Sequence, residues 1–157
     1  MKSYQTKETK QFGNRIPCVE VIMVKEVSVS NDAFRSHEDV VKSEIVEKEL
    51  KYSDREKFIC LHLNSKNRII SYEVVSIGTI NMSVVHPREV FKGAILSNAT
   101  CIICLHNHPS GDPTPSEEDI GITERLNKAG NIIGIKVLDH IIISKESSFS
   151  FSESRLI

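Results

Sequence analysis

The side chains best suited to chemistry in this 157-residue chain stand close together. The run His106-Asn107-His108-Pro109-Ser110-Gly111-Asp112-Pro113-Thr114-Pro115-Ser116-Glu117-Glu118-Asp119 holds two histidines one residue apart. It then passes through a loop with three prolines and a glycine and closes on acidic residues. Side chains two apart on a strand point the same way, so His106 and His108 can address one point in space. Their imidazoles suit a zinc ion, which takes histidine nitrogen at about 2.0–2.1 Å. Asp119 falls in the first turn of a segment that Ser116 can cap, and from there its carboxylate can be the third ligand. Three protein ligands leave a fourth position for water, the arrangement of a hydrolytic zinc rather than a structural one. The prolines leave the loop little conformational entropy to lose in holding its ends in register.

Zinc lowers the pKa of its water, but hydrolysis also needs a base to move the proton. Glu56 stands at the entry to an apolar run and Glu73 lies within the next one; spacing alone does not choose between them. Ser116 has two roles open to it, capping a helix and donating to a developing oxyanion. With Asp119 it also makes an ordinary capping box, and only the two histidines turn this segment toward metal. The isolated His37, His62 and His86 read as structural. A Cys2His2 zinc site built from Cys101, Cys104, His106 and His108 is the rival arrangement. Those cysteines point to opposite faces of a strand and lack a glycine-containing knuckle, which argues against it.

The elements that must position these groups follow from pattern. Val19 to Val24 marks a first strand within residues 16–30. Ser36 with Asp39 opens a helix that Val40, Val41, Ile45 and Leu50 continue at helical spacing up to Tyr52. Phe58 to Leu63 and Ile69 to Val75 make a hairpin across Asn64–Asn67, and Ile80 to Val85 continues extended. Pro87 starts a helix at a position where its missing N–H is not needed, and Val90, Phe91, Ala94 and Ile95 give it an apolar stripe. Cys101 to Leu105 is a buried strand, and the helix after Ser116 is expected to end at Gly130. Ile132 to Leu138 and His140 to Ser144 read as two further strands, with one short extended piece in the tail. Alternating strands and helices place the chain in the α/β (α+β) class with a mixed sheet.

Composition sets the outer bounds. Apolar residues make up 39% and charged residues 26%, an ordinary balance for one globular domain with a real core. Twenty basic and 21 acidic residues give a net charge of −1, which argues against strong chain-wide affinity for nucleic acid. No run approaches the roughly 20 apolar residues of a membrane helix, and Met1 to Thr6 lacks a signal-peptide core. Cys18, Cys60, Cys101 and Cys104 lie mostly in apolar runs, the pattern of reduced thiols and a cytoplasmic protein.

The pattern His-x-His-Pro-x6-Ser-x2-Asp, carried by His106, His108, Pro109, Ser116 and Asp119, resembles the JAMM motif of MPN-domain metalloproteases. The fuller string, with Val85-His86-Pro87-Arg88-Glu89-Val90 upstream and Leu138-Asp139-His140 downstream, resembles the bacterial RadC family in particular. The resemblance covers about residues 35–157. It implies an MPN fold, related to the cytidine-deaminase architecture, with a mixed sheet flanked by helices. It also implies a zinc ion on His106, His108 and Asp119. In JAMM enzymes the base glutamate precedes a strand that follows the first helix, so the resemblance selects Glu56 and leaves Glu73 in reserve. Ser116 matches the family's oxyanion-stabilising serine. RadC-like proteins often carry a helix–hairpin–helix module ahead of this domain. Residues 1–52 show no glycine-rich hairpin between two helices, so the expectation is a basic arm over 1–15 and a single MPN domain over 16–157.

The leading expectation is a zinc-dependent peptidase or isopeptidase acting on a peptide or protein substrate. The alternative is a non-enzymatic accessory protein in DNA repair or mobile-element biology, its zinc structural and its contact with DNA made through a partner. Nucleobase deaminases share the architecture but use His-x-Glu with a later Pro-Cys-x-x-Cys. Here His108 takes the glutamate's place and Cys101-x-x-Cys104 precedes the histidines, which sets that chemistry aside.

Overall fold

The computed structural model describes residues 33–78 and 85–157. The strand expected within 16–30 and the basic arm over 1–15 lie outside these residues, as does nearly all of the extended segment expected at 80–85.

Where one helix was expected after Ser36, the chain makes two, α1 (His37–Val41) and α2 (Glu44–Glu49). Ser36 and Asp39 form a complete capping box, but the helix stops at Lys42 and restarts with Ser43 as a second N-cap. A serine side chain bonded to the backbone offers the chain an alternative to helix continuation, and Ser43 takes it by accepting from Val46 N. Val40, Ile45, Val46 and Leu50 still face one way and are buried.

The hairpin forms as β1 (Lys57–Leu63) and β2 (Ile69–Ile77), turned through Asn67 in the left-handed region at φ 55°. Next come α3 (Pro87–Leu96), with Pro87 in its first turn, and β3 (Cys101–Asn107). The helix after Ser116, α4 (Glu117–Ile133), runs past Gly130 and ends at Gly134, whose φ of 83° is the left-handed cap. Gly130 serves a different need: a Cβ there would lie 2.5 Å from the Ile135 carbonyl oxygen. Ile132 and Ile133 therefore belong to the last helical turn, and Ile132 is 87% exposed. The two strands expected at 132–144 are one, β4 (Lys136–Ile143), followed by β5 (Ser148–Ser150).

Among the described residues the strands make one five-stranded sheet in the order β2-β1-β3-β4-β5. Only β3 and β4 run parallel, joined by the α4 crossover; the other neighbours are antiparallel. Alternation sends Phe58, Cys60, Ile102 and Cys104 to one face, where α3 and α4 cover them with Val90, Phe91, Ala94, Ile122 and Leu126. Ile59, Leu61, Leu63, Ile103, Leu105 and Ile141 face the other way, onto Val40, Ile45, Val46 and Leu50. Two helical layers thus sandwich a mixed sheet, as expected of an MPN fold. No helix among the described residues is long and apolar enough to cross a membrane.

Candidate metal centre

The centre forms where β3 ends and α4 begins. His106 is on the α3/α4 face of β3, fully buried, and His108 follows just past the strand end. The loop from Pro109 returns the chain so that Ser116 caps α4, which sets Asp119 at its third helical position beneath the histidines. His106 Nε2 lies 2.9 Å from His108 Nε2 and 3.2 Å from Asp119 Oδ1, and His108 Nε2 lies 3.5 Å from Asp119 Oδ2. One ligand atom from each of the three falls within 4.8 Å of the other two.

The protonation states suit a cation. Burial holds the His106 imidazole down to about 4, against the pull of Asp119, so its ring is neutral at pH 7. Burial alone would raise the Asp119 carboxyl, but the bond to His108, its pairing with His106 and two bonds from Ser116 together hold it well below the ordinary carboxylate range. His108 moves up, chiefly through its bond to Asp119, then against burial, with the Asp112 carbonyl and the Glu56 charge adding to the rise. His108 Nδ1 is 2.8 Å from the Asp112 carbonyl oxygen, which can only accept. That nitrogen therefore carries the proton, and Nε2 is the atom that turns toward the cluster. An ionised carboxylate and two imidazole nitrogens converging on one point fit a divalent metal of the borderline class.

Glu56 enters from the neighbouring strand. The β1–β3 register pairs Phe58 with His106, so two residues further Glu56 stands across from His108 and on the same face as His106. Regular pairing has ended there, and the Asn107 side chain takes its place. Its Oδ1 accepts from Lys57 N at 2.8 Å, and its Nδ2 donates to the Arg55 carbonyl at 3.0 Å. The Glu56 carbonyl accepts from Gly78 N at 2.8 Å on the other side. The glutamate is thus held through both flanking residues and its own carbonyl.

Glu73, by contrast, pairs with Cys60 well down the sheet, with its carboxylate against Gly93 of α3. The Ser116 hydroxyl accepts from Asp119 N at 3.2 Å and donates to Asp119 Oδ2 at 2.7 Å, and Ser116 N donates to the same oxygen at 2.7 Å. Cys101 packs with the α1/α2 side of the sheet, and Cys104 packs on the opposite face beside Cys60. Among the described residues, neither joins the His–His–Asp group. A cleft of about 260 Å³ adjoins the centre, bounded by Leu50, Tyr52, His108, Pro109, Ile143 and Lys145.

Three residues close to the centre were not identified from sequence. Asn107 reads in sequence as a spacer between two histidines. His140, on β4, is fully buried with its Nε2 2.8 Å from His106 Nδ1. Thr123, on α4, lies 2.6 Å from the other His140 nitrogen. The available signals for His140 were a histidine inside an apolar run and its place in the Leu138-Asp139-His140 string that resembles the RadC family.

A mixed sheet between helical layers, with a His–His–Asp group at a central strand end, defines a JAB/MPN-type domain with a candidate metal site. Comparison narrows this. Residues 34–156 match the RadC-like JAB domain family, and the chain belongs to that family. It is 53% identical over 121 residues to a UPF0758 protein of Bacillus cereus (strain B4264), covering 77% of this chain and 53% of that protein. Identity to a UPF0758 protein of Caldanaerobacter subterraneus subsp. tengcongensis is 53% over 123 residues, covering 78% of this chain and 52% of the relative. A UPF0758 protein of Desulforamulus reducens is 48% identical over all 157 residues, which cover 65% of its length. The chain spans about half the length of the first two relatives.

Proposed function

We propose that this domain is a zinc-dependent hydrolase of the metallopeptidase or isopeptidase type, acting on a peptide or protein substrate. The observation that carries the reading is the meeting of three elements at one strand end: the His106–His108–Asp119 group and, across the β1–β3 register from His108, Glu56. His106 Nε2, His108 Nε2 and Asp119 would hold the zinc. When bound, zinc supplies Lewis acidity toward a water and toward a substrate carbonyl.

The chain's own groups do the rest. Glu56 accepts a proton from the attacking water and passes it to the leaving amine, the two halves of general base and general acid work. The clamp on Arg55 and Lys57 fixes the backbone from which that carboxylate reaches. The Ser116 hydroxyl turns from Asp119 Oδ2 toward the developing oxyanion, while Ser116 N keeps its bond to the aspartate. The cleft beside His108 takes a substrate side chain, with Leu50 and Ile143 as apolar floor and Tyr52 at the rim.

Metal analysis of the purified chain, followed by a peptide-library cleavage assay, tests the reading. Glu56→Gln is expected to keep zinc and lose turnover, and Asp119→Asn to lose zinc. Wild-type turnover in the Glu56→Gln variant would remove the glutamate from the mechanism.

A further inference from the structure

Behind the metal centre, a hydrogen-bonded circuit runs from one ligand residue to another. Thr123, one turn along α4 from Asp119, has its Oγ1 2.5 Å from the Asp119 carbonyl oxygen and 2.6 Å from His140 Nδ1. His140 Nε2 then meets His106 Nδ1 at 2.8 Å. All four residues are buried. His140 is packed face to face on Phe151, with ring centroids 4.9 Å apart and an interplanar angle of 10°. Phe58 closes on it from another side at 5.4 Å.

The direction of this circuit follows from what each atom can do. A carbonyl oxygen only accepts, and two oxygens 2.5 Å apart with no hydrogen between them repel. The single Thr123 hydroxyl proton therefore lies toward Asp119. The Thr123 oxygen is left as an acceptor, so His140 donates to it from Nδ1–H. A neutral His140 then has a lone pair on Nε2, which must accept from His106 Nδ1–H. That leaves the His106 lone pair on Nε2, the nitrogen aimed at His108 and Asp119, where without a metal it accepts from His108 Nε2–H at 2.9 Å.

We infer that Thr123 and His140 are positioning residues that set the tautomer of His106, presenting its Nε2 lone pair to the metal. The inference deepens the metal-site reading and rests on it for its consequence, but the tautomer is a property of the metal-free chain. Partners of this kind lock ring orientation and ligand basicity, and losing one lowers metal affinity about 10–100-fold. Here the partner is a second imidazole rather than a carboxylate, so the lock works only if His140 is itself locked. Thr123 does that.

The decisive variant is Thr123→Val, which keeps the shape and removes the hydroxyl. His140 then loses the acceptor that holds its proton on Nδ1, and the reversed circuit, with the His106 proton on Nε2, becomes accessible. Nitrogen-15 NMR of the imidazoles in the metal-free full chain is expected to show Nδ1–H on both His106 and His140 in the wild type. A mixture is expected in Thr123→Val, with the wild-type pattern restored in Thr123→Ser. Zinc titrated against a competing chromogenic chelator should bind about 10-fold more weakly to the valine variant and near wild-type strength to the serine variant. An Nε2–H His106 in the metal-free wild type overturns the inference. So does a valine variant with unchanged tautomers and unchanged zinc affinity. Asp119→Ala run alongside separates the two claims: wild-type zinc affinity there defeats the metal-site reading, while the imidazole spectrum still decides the tautomer.

Discussion

Asn107 allows the sharpest test of how the base is held. Its side chain points away from the face carrying His106 and His108, yet it bridges Lys57 N at 2.8 Å and the Arg55 carbonyl at 3.0 Å. Asn107→Ala removes both bonds and leaves the partly buried Lys57 N–H to find another partner, while the Arg55 carbonyl keeps its bond from Ser53 Oγ at 2.7 Å. A net intramolecular hydrogen bond is worth about 1 kcal/mol, so losing the pair should destabilise the fold by about 2 kcal/mol. For a domain of this size that lowers Tm by roughly 4–8 °C, measurable by calorimetry and small enough to leave the chain folded. The effect on turnover should be larger. A displacement of about 1 Å in a catalytic group lowers rate about 100-fold, and with Asn107 gone the segment loses its side-chain tie to β3 while keeping the Gly78 bond, the Lys57–Ile77 pairing and the Ser53–Arg55 turn on the other side. The expected result is kcat down about 100-fold with KM and zinc content near wild type. Asn107→Asp keeps an acceptor for Lys57 N but sets a carboxylate oxygen against the Arg55 carbonyl, so it should be no better than alanine. If Asn107→Ala turns over like wild type, the clamp has no part in catalysis. If it loses zinc along with activity, the side chain supports the metal ligands and the reasoning about Glu56 fails.

Much of the centre was legible in sequence because its parts are local. His106, His108 and Asp119 lie within one strand–loop–helix unit, and strand alternation and helix capping both act over a few residues. Spacing left Glu56 as one of two glutamates and the family resemblance chose it, since what brings it opposite His108 is the β1–β3 pairing, a contact between distant segments that spacing does not encode. The same limit hid Asn107, Thr123 and His140. A strand end needing a side-chain substitute for its ladder makes Asn107 matter, and a helix packed across two parallel strands brings Thr123 to His140. The errors in the fold have a local cause as well. Val40, Val41, Ile45 and Leu50 kept helical spacing through Ser43, so the apolar pattern outweighed a capping residue that in fact starts a new helix. Gly130 and Gly134 are both plausible helix stops in sequence, and only tertiary contact separates them. Gly130 is where Phe91 and the Ile135 carbonyl come close, while Gly134 is where the backbone turns left-handed.

Two further outcomes follow from packing and burial. Gly130→Ala replaces a poor helix former with a good one, a gain of about 1 kcal/mol in an open helix. Here the new Cβ would lie 2.5 Å from the Ile135 carbonyl oxygen and 3.2 Å from Phe91 Cζ, and backbone does not give way easily. Overpacking of this kind costs about 1–3 kcal/mol, so urea denaturation should show a net loss of about 1 kcal/mol; a stabilised variant would refute the close approach. His62 predicts a pH dependence. It is buried on β1, bonded to Ser71 Oγ at 2.7 Å, and burial lowers its pKa from 6.5 to about 4. Between those values the unfolded chain binds the proton and the folded one does not, so stability rises with pH across that window. The contribution is full above about pH 6.5, falls as pH drops below it, and is gone near pH 4, a change of about 3 kcal/mol. His106 and His140 are shifted the same way, so the wild-type slope carries more than one histidine. His62→Gln should therefore flatten the slope by about one proton rather than abolish it. Equal slopes for the two proteins between pH 4 and 6.5 would mean that His62 takes up its proton in the folded chain as readily as in the unfolded one.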